Sequence, residues 1–319
     1  MSNICETEAN LRKAINEAST IAIAGHTRPD GDAIGACLAL AAALCRLGKD
    51  VKVLLEDYDR RYGIIPGRQF VYRGDYGLLA PDLFIALDCS TPDRLGKALE
   101  VMGRAKNTAM LDHHQGNTIR ADYWIADPAA PATALMVYNF ISTMVEVDAE
   151  MGAAIYAGLV YDTGGFRHSS TTPEVLDTAA ALMRLGIDFS RIYRVLMVEK
   201  PREKTPLLAR ALSRITYAEP DIAHTYIDLA DKAELGGDYP DSVADYLVNI
   251  RGVNTAVYAV QKEDATEFSL RSRCVNVGEI ASSLGGGGHK AAAGFRTPDA
   301  PAEAIAKFVG IAQRSMADG

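Results

Sequence analysis

The sequence predicts an α/β fold, a mostly parallel sheet with helices on both faces, followed by a smaller α+β domain. Three observations lead there. Short apolar runs at residues 20–24, 51–55, 83–87 and 108–111 are bounded by turn residues and have the length of buried parallel strands. Helical patterns lie between them, as a βαβ series requires. Beyond residue 204 the pattern changes to alternating and β-branched segments, which read as a second domain.

Taken in order, residues 3–17 read as an amphipathic helix that leads into the strand at 20–24. A loop at 25–31 precedes a long apolar helix, 33–47, which Gly48 stops in the position a helix C-cap prefers. Asp148 can cap a helix in which Met151, Ala154, Ile155, Gly158, Leu159 and Asp162 share a face through their three-and-four spacing. Thr163-Gly164-Gly165 ends that helix, and Thr172-Pro173-Glu174 starts another that runs to about Leu185. The charged stretch 199–204, with Pro201 and Pro206, reads as a connector. The expected division is therefore a first domain over 1–195, a linker over 196–214 and a second domain over 215–319. Strands are expected in the latter at 215–218, 224–229, 256–261 and 267–273, with a short helix at 277–284 leading into Gly285, Gly286, Gly287, Gly288 and His289.

A chain of 319 residues, 48% hydrophobic and 23% charged, suits two soluble domains, and no apolar stretch is long enough to span a bilayer. The first twenty residues lack the basic start and apolar middle of a signal peptide, so a cytoplasmic location and no membrane partner are expected. The five cysteines form no CxxC pair and are expected as thiols, most of them small core hydrophobes. A net charge of −8 argues against a protein that tracks long nucleic acid by its overall field. A short or small anionic substrate held by local arginines is compatible with it. Tyr and Phe are too scattered to mark a base-stacking platform.

Acids and imidazoles collect where the apolar runs end. His26 follows the first strand, and Pro29-Asp30-Gly31-Asp32 makes a tight turn that aims two carboxylates at different points. As an ordinary turn the same letters would serve only to let Asp32 cap the next helix. Asp88 closes the run at 83–87, and Asp112-His113-His114 closes the run at 108–111; adjacent strand-end imidazoles beside a carboxylate meet no common packing or capping need. Asp162 sits at a helix end. In an open parallel sheet all these groups can meet at the carboxyl ends of the strands. Carboxylates packed so closely repel unless cations hold them, and a nitrogen and oxygen donor set without sulfur favours manganese or magnesium. Two such ions about 3.5–4 Å apart are suited to in-line displacement at phosphorus.

The pieces resemble those of the DHH phosphoesterases: Asp112-His113-His114 itself, His26-x-x-Pro29-Asp30-Gly31-Asp32, Asp88-Cys89-Ser90, and Tyr156-Ala157-Gly158 running to Asp162-Thr163-Gly164. The resemblance covers nearly the whole chain. It implies two divalent ions, Mn²⁺ or Mg²⁺, with His26, Asp30 and Asp88 on one, Asp32, Asp88, His113 and Asp162 on the other, and Asp88 bridging. It further implies that Asp112 orients the histidines and that His114 faces the phosphate as charge stabiliser or proton donor. Attack by a metal-activated water needs no protein nucleophile, so Ser90 and Cys89 are assigned no covalent role. The segments Ser269-Leu270-Arg271-Ser272 and Gly286 to Gly294 resemble the smaller C-terminal domain of many DHH enzymes, which faces the metals across a cleft. That implies Arg271 and His289 as substrate contacts, together with Ser269, Arg273, Gly286, Gly287 and Gly288. Backbone amides of the glycine run could cradle a phosphate.

The two-domain length is similar to that of oligoribonucleases that also dephosphorylate 3′-phosphoadenosine 5′-phosphate. Hydrolysis of short RNA, of pApA and of that bisphosphorylated nucleotide is the expected activity. A cyclic-di-AMP phosphodiesterase and a single-strand DNA exonuclease of the same family stand as alternatives; a nucleotide sensor that has lost catalysis would lack a ligand, and here every position is filled. The sequence leaves homodimer formation open.

Overall fold

The computed structural model describes residues 2–56 and 58–317, which divide into two compact units, one ending at Glu199 and the other beginning at Lys200. The first unit contains helix α1 (Ser2–Glu17), strand β1 (Thr20–Ala24), α2 (Gly31–Arg46), β2 (Asp50–Leu54), β3 (Leu83–Leu87), α3 (Ala98–Arg104), β4 (Asn107–Asp112), β5 (Tyr123–Ala126), α4 (Thr133–Ile141), α5 (Ala149–Asp162), α6 (Pro173–Arg184) and α7 (Phe189–Tyr193). Its five strands form a wholly parallel sheet in the order β2-β1-β3-β4-β5.

Strand alternation divides the apolar residues between the two faces. Ile21, Ile23, Ile85, Leu87 and Leu111 belong to the larger core with α1, α2, α4 and α5, whereas Ala22, Phe84, Ala86 and Met110 pack on the other side with Leu95 and with Ala98 and Val101 of α3. Both faces of β3 are covered, so all five of its residues are buried. Gly35 of α2 lies against the Ala154 carbonyl of α5, where any Cβ would collide, and this lets the two helices approach closely.

Three local features differ from the sequence reading. Helix α2 begins at Gly31 because Asp30, not Asp32, is its cap: Asp30 Oδ1 accepts from the amides of Asp32 at 3.0 Å and Ala33 at 3.1 Å. Strand β5 and helix α4 were not expected. Trp124 on β5 is exposed, and α4 (TALMVYNFI) is too uniformly apolar to show an amphipathic stripe.

The second unit contains α8 (Thr205–Ser213), β6 (Thr216–Ala218), β7 (Ile222–Ile227), α9 (Leu229–Leu235), α10 (Val243–Val248), β8 (Thr255–Gln261), β9 (Thr266–Ser272), α11 (Val277–Ser283), β10 (Gly287–His289), β11 (Ala292–Thr297) and α12 (Pro301–Ala317). The residues expected as linker are helical from Thr205. Pro206 reads as a breaker in the sequence, but it sits in the first turn of α8, where its missing N–H costs nothing, and Leu207 and Ala211 are buried. The sheet runs β10-β11-β9-β8-β7-β6, with β7 and β8 parallel and the other pairs antiparallel. Helices α11 and α12 share the core on one face; on the other, Leu207, Ala211 and Leu247 of α8 and α10 cover Ala223, Ala256 and Tyr258 of β7 and β8. On that second face Ser269 of β9 and the whole of β10 are exposed.

Candidate metal centre

Strand order reverses between β1 and β3, and in open α/β sheets ligands sit outside the carboxyl ends of the strands at such a point. His26 follows β1 and Asp88 follows β3 directly, so both stand there. Asp112 is the last residue of β4, which places His113 and His114 alongside, and Asp162 is the last residue of α5. Asp88 leaves its strand in the left-handed region, φ +55°, a conformation Asp tolerates better than most residues. The turn ends β3 while the Asp88 amide still donates to the Leu111 carbonyl at 3.1 Å.

The expected residues do gather here. Three groups have ligand atoms within 4.8 Å of one another: His26, Asp30 and Asp88; Asp32, His113 and Asp162; and Asp88, His113 and His114. Asp88 and His113 each belong to two groups and link them. His26 Nε2 lies 3.8 Å from Asp30 Oδ2 and 3.8 Å from Asp88 Oδ2, and His113 Nε2 lies 3.0 Å from Asp162 Oδ2 and 3.5 Å from Asp88 Oδ1. Behind each ring stands a carbonyl: Nδ1 of His26 is 2.8 Å from the Thr27 oxygen, and Nδ1 of His113 is 3.2 Å from the Ala130 oxygen. A carbonyl can only accept, so Nδ1 carries a proton, and Nε2, which donates to the carboxylates it faces, presents a free lone pair once that second proton leaves. This is the tautomer a metal requires.

Asp112 is fully buried and does its work on one histidine. Its Oδ1 meets His114 Nδ1 at 2.7 Å, and its Oδ2 accepts from Asn117 Nδ2 at 2.6 Å. His113 is oriented by Ala130 instead. Asp32, also fully buried, accepts from the amides of Thr133 at 2.6 Å and Ala134 at 2.9 Å, and so caps α4 from a hundred residues away. Thr133 Oγ1 donates to Asp88 Oδ1 at 2.9 Å. Sequence reasoning missed Thr133 and Asn117. Asn117, three residues after His114, offered a weak signal as an amide near a buried carboxylate; Thr133 offered none, because α4 carries no local cap.

The field in the site is strongly negative. Burial, then the charges of Asp30 and Asp162, pushes the Asp88 carboxyl up to about 6, and burial with Asp88, Asp162 and Asp30 pushes Asp32 well above the usual carboxylate range. Burial works against a charged His113, yet the hydrogen bond to Asp162 and the charges of Asp162 and Asp88 overcome it and raise the imidazole to about 9. Protons are retained where divalent cations would be stabilised, and the oxygen and nitrogen donors fit Mn²⁺ or Mg²⁺. Cys89 offers no competing ligand: its Sγ turns to the Thr91 carbonyl at 3.4 Å, and burial raises the thiol to about 12. His168 is exposed, with Nδ1 3.2 Å from the Asp162 carbonyl.

In the second unit, antiparallel pairing puts His289, Ala292 and Arg271 in one row and Gly287, Gly294 and Ser269 in the next, on the same face. Gly287, Gly294, Ser269 and Ala292 on this face are small, and Arg271 and His289 stand on the same face beside them. Arg271 is engaged by Asp245 of α10, donating at 2.7 and 3.2 Å. Arg273 lies beyond the end of β9 and not on its face, and donates to Asn249 at 2.9 Å. The glycine run is not the loop of free amides the sequence suggested. Gly285 and Gly286 donate to the carbonyls of Ser282 and Ala281 at the end of α11, and Gly287 and Gly288 lie in β10, paired with β11.

Residues 20–162 match the model of the DHH family, N-terminal domain, and residues 223–318 match that of the DHHA1 domain. The chain is 35% identical to the bifunctional oligoribonuclease and PAP phosphatase NrnA of Thermus thermophilus, over 90% of this chain and 86% of that protein. Its fold is similar to that of an exopolyphosphatase-related protein from Bacteroides fragilis, with a TM-score of 0.88 and 23% identity over 98% of this chain and 96% of that one. A manganese complex of RecJ from Thermus thermophilus is a more distant structural neighbour, with a TM-score of 0.51 and 16% identity over 99% of this chain and 54% of that one. With a site built on Asp112-His113-His114 and a relative this similar along nearly its whole length, the chain belongs to the DHH phosphoesterase family and has a DHHA1 domain as its second part.

Proposed function

We propose that the protein hydrolyses short oligoribonucleotides, pApA and 3′-phosphoadenosine 5′-phosphate, releasing mononucleotides or inorganic phosphate. The observation that carries the reading is the set of linked ligand groups around Asp88, in a chain whose relative from Thermus is named for these two activities. His26, Asp30 and Asp88 would hold one divalent ion, and Asp32, Asp88, His113 and Asp162 the other. Manganese is the preferred ion, in keeping with the donor set and with the manganese complex of the RecJ neighbour. When bound, the ions would supply an acidified water for attack at phosphorus and would neutralise the oxygens of the phosphoryl group.

The protein's own residues do the rest. Thr133 and the first amides of α4 fix the directions of Asp88 and Asp32. Asp112 holds the Nδ1 proton of His114, which leaves Nε2 to face the phosphate, and the partial exposure of His114 gives a substrate access to it. On the second unit, Arg271 and His289, with Ser269 and Gly287 beside them, are the surface proposed for the nucleotide, and Asp245 fixes the plane of the Arg271 guanidinium. Among the described residues no helix is long and apolar enough to cross a membrane, and all five cysteines are free thiols, which suits a cytoplasmic enzyme.

A substrate panel tests the reading. Manganese-loaded protein should turn over pApA, short RNA and 3′-phosphoadenosine 5′-phosphate faster than long single-stranded DNA or cyclic di-AMP, and a chelator should abolish all turnover. Preference for the long polymer or the cyclic dinucleotide overturns the assignment.

A further inference from the structure

The tyrosines that look scattered in the sequence are not scattered in the fold. A pocket of about 490 Å³, within the range of ligand sites, opens in the first unit against Asp30, with Tyr58, Tyr62, Tyr161, Arg28 and Arg61 among its walls. Asp30 also belongs to the His26, Asp30 and Asp88 group, so the pocket and the candidate metal centre share a side chain.

The walls are built for an aromatic group joined to an anion. Tyr62 meets Tyr58 and Tyr161 edge to face, with ring centroids 6.5 and 6.0 Å apart. Arg61 lies over the Tyr62 ring at 4.9 Å and donates to its hydroxyl at 3.0 Å, which fixes that side of the wall. The Tyr161 ring packs against the metal-binding turn so closely that a Cβ on Gly31 would stand 2.7 Å from the Tyr161 Cβ. The Tyr58 hydroxyl is buried without a hydrogen-bond partner among the described residues. Arg28 is exposed, and among the described residues its side chain has no ion pair or hydrogen bond, although its backbone is held in the left-handed region at φ +52°. A non-glycine residue in that region is uncommon and clusters at functional sites.

We infer that this pocket seats one nucleoside of the substrate, its base against the tyrosine wall and its phosphate against Arg28, while the reacting phosphate reaches the cations beside Asp30. The inference rests on the phosphoesterase reading and adds to it the seat of the base. Stacking on aromatic side chains tolerates any base, so the pocket confers preference for a nucleotide over a bare phosphate ester without selecting a sequence.

The test compares pApA with analogues in which one adenine, at either end, is replaced by hydrogen on the ribose. Wild-type protein should prefer pApA to one of the two abasic analogues by about 10- to 100-fold in kcat/KM, and Tyr58→Ala should erase most of that preference, chiefly through KM. Arg28→Ala should raise KM for pApA by about 10-fold or more, with partial recovery in Arg28→Lys. Thermal melts identify any variant that fails to fold, in which case Arg61→Ala, at the other side of the wall, carries the same expectation. A wild-type preference that persists in the variants, or no preference for a base at either end, overturns the pocket assignment alone. Wild-type protein that ignores pApA and all other nucleotides overturns the phosphoesterase reading as well.

Discussion

Thr133 Oγ1 lies 2.9 Å from Asp88 Oδ1, and both side chains are buried. The same residue gives its amide to Asp32, so the start of α4 holds two of the carboxylates that would face the cations. Groups that orient ligands typically cost about 10- to 100-fold in metal affinity when removed. Thr133→Val should weaken Mn²⁺ binding by about that factor in a calorimetric titration, and Thr133→Ser should keep most of it.

His114 and Asp112 should separate from the ligands in their kinetics. His114→Ala should lower kcat by about 10²- to 10⁴-fold, the range for loss of a positioned proton donor, and alter Mn²⁺ affinity far less. Asp112→Asn keeps the shape but removes the charge behind the imidazole, and should give a smaller fall in kcat with a changed pH profile. Steady-state rates over a pH series, with parallel metal titrations, check both.

Much of this site was legible because its residues announce themselves at strand ends. His26, Asp88 and Asp112 each follow an uninterrupted apolar run, and parallel topology carries such positions to one edge of the sheet. What could not be read is whatever depends on contacts distant in the chain. Asp32 caps α4 and not α2; Tyr62 meets Tyr161; Arg271 is held by Asp245. The glycine run misled for a related reason. A strand partner at Ala292 to Gly294 turns an apparently flexible loop into β10, and only the fold reveals that pairing.

Gly35 should be intolerant of any side chain. A Cβ there would meet the Ala154 backbone, which cannot swing aside, so Gly35→Ala should destabilise the first unit by about 1–3 kcal/mol in urea or thermal unfolding. Its effect on activity should follow the loss of folded protein.

Acid sensitivity should arise partly in the second unit, at Asp231. Burial acts to raise its pKa, but the hydrogen bonds and charge of Arg214 at 2.7 and 2.9 Å, with the Asp228 amide and the Arg210 charge, hold it below the usual carboxylate range. A carboxylate lowered on folding stabilises the protein above its unfolded pKa. That stability is lost as the pH falls below about 4 and through the depressed value. Asp231→Asn should lower stability at neutral pH and flatten the acid limb of a stability–pH curve; a limb as steep as in the wild type would remove Asp231 from the account.

The count of Mn²⁺ ions bound per chain at equilibrium, in the wild type and in Asp88→Ala, tests the central claim most directly. Two ions per chain should bind the wild type, and the variant should lose tight binding of both, because Asp88 stands between the two proposed ligand sets. One ion in the wild type, or two retained without the Asp88 carboxylate, would contradict it.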